Sequence, residues 1–65
     1  MPSRVIRRFE YDDADRRLDI LFVTGRRYAY HDVPPEEVTA FRAAFSKGEY
    51  FNAHIRDRYR FTRYR

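Results

Sequence analysis

The stretch that decides the fold is Phe45-Ser46-Lys47-Gly48-Glu49-Tyr50-Phe51-Asn52-Ala53-His54-Ile55-Arg56-Asp57-Arg58-Tyr59. Ser46 and Glu49 have the spacing of a capping box, in which Ser46 begins a helix. Gly48 is also suited to end a preceding helix in the left-handed conformation. Both interpretations predict a corner at residues 46–48 that leads into a second helix. The broad face of that helix is expected to carry Tyr50, Phe51, His54, Ile55, Arg58 and Tyr59.

Upstream of the corner, the segment Val33-Pro34-Pro35-Glu36-Glu37 predicts the start of a first helix. Proline is tolerated in a first helical turn, and glutamates favour the positive end of the helix dipole. Apolar residues then recur at helical spacing and predict a stripe that packs on a sheet. They are Val38, Phe41, Ala44 and Phe45.

Three strands are predicted before the helices, at residues 4–12, 16–24 and 27–31. The middle strand has the clearest two-residue alternation, and Gly25 supplies the positive φ of the turn that follows it. In the first strand Arg7 interrupts the apolar face, so that either Arg7 lies at a strand edge or a bulge aligns Ile6 with Phe9. Tyr28 and Tyr30 share one face of the third strand and are expected to be core, with an exposed aromatic patch as the alternative.

The sequence therefore predicts one α+β domain over residues 1–65, a three-stranded antiparallel meander followed by two helices packed on one face. A domain of this size buries only about 60% of its unfolded surface. Six Phe and six Tyr supply large rings for a small core. The basic aromatic tail, residues 60–65, is compatible with a short strand, a segment packed by Phe61 or a frayed end.

The excess of positive over negative charge lies at the C-terminal end of the chain. The net charge is +4, and residues 1–55 balance nine basic against nine acidic side chains. Arginines interleaved with aromatic residues are typical of surfaces that neutralise phosphates and stack on unpaired bases. The predicted nucleic-acid surface, with RNA preferred, consists of Lys47, Arg56, Arg58, Arg60, Arg63 and Arg65, with Tyr64 stacking. Arg26 and Arg27 at the hairpin tip are candidates to extend it.

The sequence offers little for catalysis. It has no cysteine and only two histidines, which fall on separate predicted elements, and its two glycines form no phosphate loop. Ser46 beside Lys47 is interpreted as a helix cap rather than a nucleophile. We expect a non-enzymatic protein with no catalytic residue, no metal and no cofactor.

Two polar residues of the second helix, Asn52 and His54, are assigned structural roles. Asn52 is grouped with Ser46 and Gly48 as part of the structural corner and is expected to bond to the third strand. A contact of Asn52 with a base edge is the alternative. His54 is expected to be packed in the core.

The alternative function is a protein-interaction module that uses the exposed edge of strand one or three, or an aromatic patch. The longest run of aliphatic and aromatic residues, Ile20-Leu21-Phe22-Val23, is far too short to span a bilayer. We therefore expect a soluble protein that does not associate with membranes. We also expect it to be cytoplasmic and monomeric.

The chain resembles the KTSC domain, a module named after a C-terminal extension of some lysyl-tRNA synthetases. The densest similarity is Ala44-Phe45-Ser46-Lys47-Gly48-Glu49-Tyr50-Phe51-Asn52, and Tyr28-Ala29-Tyr30 with Val33-Pro34 also match. The resemblance implies a β-meander followed by helices. Its association with a synthetase implies work on tRNA or another nucleic acid.

Overall fold

The computed structural model describes residues 6–64. Arg65 and the first two residues of the predicted first strand lie outside this range. The elements, in chain order, are β1 (Ile6–Asp12), β2 (Arg17–Phe22), β3 (Arg27–Tyr30), α1 (Pro35–Ala43), α2 (Lys47–Tyr50), a π-helical segment (Phe51–Ile55) and β4 (Phe61–Arg63). The α+β class and the order of the three predicted strands and two helical regions are confirmed.

The sheet has four antiparallel strands in the order β1-β2-β3-β4, so the prediction of three strands is wrong. The tail supplies the fourth strand, with Phe61 opposite Tyr30 and Arg63 opposite Tyr28. The Tyr64 amide donates to the Arg27 carbonyl at 2.9 Å and prolongs this pairing. As a result, β3 is an inner strand, and the predicted free edge at β3 is wrong.

The first strand contains a bulge at Arg7. The register between β1 and β2 shifts between Ile6 and Arg8, which leaves Arg7 as the extra residue. Ile6 and Phe9 both pack against the core, while Arg7 is exposed. Of the two interpretations that the sequence allowed, the bulge is therefore the one that the structure adopts.

The core lies on the sheet face that carries Leu18, Ile20 and Tyr30. Val33, Val38, Phe41, Phe51 and Ile55 complete it. The Phe41 ring lies 4.5 Å from that of Phe9, and the Phe51 ring lies 5.3 Å from that of Tyr30. Six large side chains here are essentially inaccessible to solvent, so this one cluster supplies most of the hydrophobic stabilisation.

The corner begins where α1 ends at Ala43, and Ala44 is already extended. Ser46 caps the next helix, since its hydroxyl oxygen accepts a hydrogen bond from the Glu49 amide at 3.2 Å. Gly48 lies inside α2, so the predicted N-cap role of Ser46 is confirmed and the left-handed cap at Gly48 is wrong. Because α1 has ended before it, Phe45 is 88% exposed and does not belong to the predicted apolar stripe.

The second helical region changes from α2 to a π-helical turn, in which the Arg56 amide bonds to the Phe51 carbonyl at 2.9 Å. Phe51 and Ile55 are buried as expected. His54 is exposed and packs against the Tyr50 ring in a tilted arrangement, so its predicted core position is wrong. Asn52 is exposed, and its side chain forms no hydrogen bond to β3 within residues 6–64, which contradicts the predicted tie. No helix in the described chain is long and apolar enough to cross a bilayer.

Candidate nucleic-acid interface

The fold divides the basic residues that the sequence places close together. Arg58 forms an ion pair with Glu37 at 3.7 Å, and Arg60 forms one with Asp32 at 3.6 Å. Both guanidinium groups remain largely exposed, so neither pair immobilises its arginine strongly. The positive charge of these two residues is nevertheless partly compensated by carboxylates.

Lys47 has a structural contact. Its ammonium group donates a hydrogen bond to the Ala44 carbonyl at 2.7 Å and so satisfies a backbone group just beyond the end of α1. With the Ser46 cap, this contact fixes the corner between the two helical regions. The same ammonium group is thus less available to an external phosphate than its place in the sequence indicates.

A separate cationic surface forms where β4 pairs with β3, and we call it the arginine cluster (Arg26, Arg27 and Arg63). These residues line a shallow depression of about 700 Å³ together with Gly25 and Tyr64. Gly25 has a φ of 90°, which allows the tight reversal that places Arg26 and Arg27 at the hairpin tip. The pairing of Arg63 with Tyr28 brings the tail to the same place.

Tyr64 lies beside the arginine cluster and is held by the sheet. Its hydroxyl donates a hydrogen bond to the Asp19 carboxylate at 3.0 Å, which spans from the end of β4 to β2. This hydrogen bond, followed by burial, raises the pKa of Tyr64. The ring remains 40% exposed, so a stacking partner can reach part of it.

An aromatic cleft adjoins the arginine cluster on the core side of the sheet. It has a volume of about 580 Å³ and runs between the β2–β3 hairpin, β4 and the π-helical turn. Its rings are Phe22, Tyr28, Tyr30, Phe51 and Phe61, and its charged rim consists of Arg26, Arg56 and Asp57. The cleft therefore combines apolar ring surface with two arginines and one carboxylate.

The rings of the aromatic cleft support one another. Phe61 lies 5.5 Å from Tyr28 and 5.7 Å from Tyr30, between ring centres. Tyr30 is buried, and burial raises its pKa to about 12, so its expected place in the core is confirmed. Tyr28 is half-buried, whereas Phe61 keeps 52% of its surface exposed.

Four arginines of the cluster and the cleft are distinguished by their lack of ion pairs in the described part of the chain. Within residues 6–64, Arg26, Arg27, Arg56 and Arg63 take part in no ion pair. Of the predicted surface residues, the structure thus brings Arg63 and Tyr64 together with Arg26 and Arg27, and it places Arg56 across the cleft.

The sequence interpretation missed Phe61 as a surface ring. Alternating aromatic and basic residues in the tail were the available signal, but only the β3–β4 pairing shows which ring faces the cleft.

A second polar cluster, centred on Glu37, joins α1 to the second helical region. The Tyr50 and Tyr59 hydroxyls both donate to its carboxylate, the latter at 2.9 Å. Burial alone raises the pKa of Glu37, but these two hydrogen bonds and the charge of Arg58 outweigh it and lower that pKa. The Glu37 side chain is only 10% exposed, so the cluster acts within the fold rather than as a surface for ligands.

The structure so far defines a small α+β domain with one buried face and a basic, aromatic surface along β3, β4 and the hairpin tip. The family model of the KTSC domain matches residues 2–59. The chain therefore belongs to the KTSC domain family.

Known proteins show the same relationship. The chain is 36% identical over 58 residues to a protein from Tsukamurella paurometabola, a match that covers 89% of this chain and 87% of that one. It is 37% identical over 57 residues to the lysine–tRNA ligase of Nostoc punctiforme, where the match covers 88% of this chain but only 10% of the ligase. The crystal structure of a KTSC domain protein from Yersinia pestis superposes with a TM-score of 0.90 at 28% identity and covers 100% of this chain and 94% of that one.

Proposed function

We propose that this KTSC domain is a binding module rather than an enzyme and that it binds nucleic acid, preferentially RNA, at the arginine cluster and the adjoining Arg56. The observation that carries the proposal is the grouping, beside exposed rings, of four arginines that form no ion pair with any carboxylate of residues 6–64. Arg presents a planar set of donors that suits phosphate oxygens. The relationship to part of a lysine–tRNA ligase is consistent with an RNA ligand.

The proposal gives the basic residues different weights. Arg26, Arg27 and Arg63 are expected to contact phosphates directly, because all three line one depression. Arg58 and Arg60 are expected to act mainly through their long-range field, since each lies near a carboxylate. Lys47 is expected to contribute little, because its ammonium group holds the Ala44 carbonyl.

The test is fluorescence anisotropy of labelled single-stranded RNA, a tRNA and duplex DNA with the purified protein. Two variants that each remove two positive charges are compared, Arg27→Gln/Arg63→Gln and Arg58→Gln/Arg60→Gln. The first is expected to weaken RNA binding at least tenfold and the second by a few-fold at most. If both variants bind as the wild type does, or if the wild type binds no nucleic acid at low salt, the proposal is wrong. If the wild type binds no nucleic acid, the alternative is a protein partner that pairs with the free edge of β1.

A further inference from the structure

Phe61 keeps 52% of its surface exposed, whereas the two rings that it packs against, Tyr28 and Tyr30, are half-buried and buried. The Phe61 ring packs against the rings of Tyr28 and Tyr30, which hold it in place. Phe22 and Phe51 also line the cleft. The core is complete without it, since the fully buried side chains all lie elsewhere. A phenylalanine half exposed at a supported position costs the fold little and offers one ring face to a ligand.

The dimensions and charges of the aromatic cleft restrict what it can hold. Its volume of about 580 Å³ lies within the range of about 300–1,000 Å³ typical of small-ligand pockets. Two arginines stand at its rim against one carboxylate, Asp57, so an anionic ligand is favoured over a cationic one. Arg26 belongs both to this rim and to the arginine cluster, so the two surfaces are continuous.

We propose that the aromatic cleft takes one unpaired base of a nucleic-acid strand, stacked on Phe61, while the arginine cluster holds the phosphates of the same strand. This inference rests on the proposed function and adds a requirement to it. A base can enter the cleft only when it has left a duplex stack, so the domain distinguishes single strands and loops from continuous duplex. A phosphate surface alone would make no such distinction.

The substitution Phe61→Leu tests the stacking directly. Leucine keeps an apolar side chain of similar size in β4 but has no π face. Stacking of one base on an aromatic side chain corresponds to roughly 5- to 150-fold in affinity. Phe61→Leu is therefore expected to weaken binding of single-stranded RNA by that factor and to leave duplex binding unchanged. Phe45→Leu is the control, because Phe45 is also an exposed phenylalanine, at 88% against 52% for Phe61, but lies outside the cleft.

An abasic oligonucleotide of the same length separates this inference from the proposed function. It offers the same phosphates without bases, so wild type and Phe61→Leu are expected to bind it equally. Arg27→Gln/Arg63→Gln is expected to bind it less well than either. If Phe61→Leu binds base-containing RNA as tightly as the wild type while the arginine variant does not, the stacking inference falls and the proposed function stands. If wild type binds neither strand, both fall.

A fluorescence measurement gives a second readout that does not depend on affinity. The chain contains no tryptophan, so Phe61→Trp places a single indole at the mouth of the cleft. Saturating single-stranded RNA is expected to quench this indole, and the abasic strand is expected to leave it unchanged. The control Phe45→Trp is expected to respond to neither. Equal quenching of both indoles, or none at position 61, would overturn the inference.

Discussion

Replacing Glu37 with glutamine is expected to destabilise the fold, because Glu37 joins α1 to α2 and to the turn that follows the π-helical segment. Its carboxylate, on α1, accepts hydrogen bonds from the hydroxyls of Tyr50 and Tyr59 and lies 3.7 Å from Arg58. The side chain is only 10% exposed, so water cannot replace these partners fully. Glutamine preserves the shape and one acceptor oxygen but removes the charge.

The magnitude follows from the number of contacts. A hydrogen bond to a charged group contributes roughly 1.5–3 kcal/mol, about twice the value for neutral partners. Since glutamine retains one acceptor, we expect a loss of about 1–2 kcal/mol. For a domain of this size, each kcal/mol lowers Tm by about 4–8 °C. The expected decrease in Tm is therefore about 5–15 °C at neutral pH.

The assay is thermal unfolding followed by circular dichroism, with Glu36→Gln as the matched control. Glu36 is the neighbouring acid in the same helical turn, so the control reproduces the effect on the helix dipole. Because the folded state lowers the pKa of Glu37, its stabilising effect is present above the unfolded pKa of about 4.3 and is lost as pH falls through the folded value. The difference in Tm between wild type and Glu37→Gln should therefore narrow below about pH 4. Equal Tm values for the two variants at pH 7, or a difference that persists undiminished in acid, would refute the reasoning.

Three further predictions concern the fold. Ser46→Ala is expected to cost about 0.5–2 kcal/mol in chemical denaturation, because it removes the cap of the second helical region; an unchanged midpoint would contradict this role. Phe41→Ala is expected to cost about 3–5 kcal/mol, whereas Phe45→Ala should have almost no effect on stability, since Phe41 is buried and Phe45 is not; similar losses would show that the burial is wrong. Burial, aided at Tyr50 by its hydrogen bond to Glu37, raises the pKa values of Tyr30 and Tyr50 to about 12. In a pH titration, part of the tyrosinate absorbance should therefore appear only near pH 12. The stability that these two residues contribute below pH 10 should be lost as pH rises through about 12. A single titration near pH 10 in the folded protein would contradict that assignment.

The elements that the sequence predicted well are those specified by local patterns. The alternation of Leu18, Ile20 and Phe22 defines β2, and the prolines and glutamates before Val38 define the start of α1. Ser46 and Glu49 similarly define the corner through one short-range hydrogen bond. In each case the residues that carry the signal are within a few positions of the structure that they specify.

The fourth strand could not be predicted in the same way. It has three residues, all exposed, and it pairs with β3 more than thirty residues earlier in the chain. Its sequence, Phe61-Thr62-Arg63, has no buried face, so periodicity alone leaves a strand, a packed tail and a frayed end equally open. The stability of β4 comes from its backbone pairing and from Phe61 against Tyr28 and Tyr30.

The candidate site shows why a run of charges is a poor guide to a surface. Arg58 and Arg60 are neighbours of Arg63 in sequence, yet the fold places them beside Glu37 and Asp32. The hairpin tip, more than thirty residues away in sequence, supplies the partners of Arg63 instead. Strand pairing brings these distant arginines together, and no local pattern encodes that.

The measurement that tests the central claim most directly is the salt dependence of single-stranded RNA binding. Each phosphate contact on a single strand contributes about 0.7 to the slope of log affinity against log salt. With three or four arginine contacts, the wild type should show a slope of about −2 to −3, and Arg27→Gln/Arg63→Gln should lower its magnitude by about 1.4. The control Arg7→Gln/Arg42→Gln removes equal charge from exposed positions outside the cluster and should keep the wild-type slope. Slopes that are equal in the two variants, or no binding at low salt, would contradict the account.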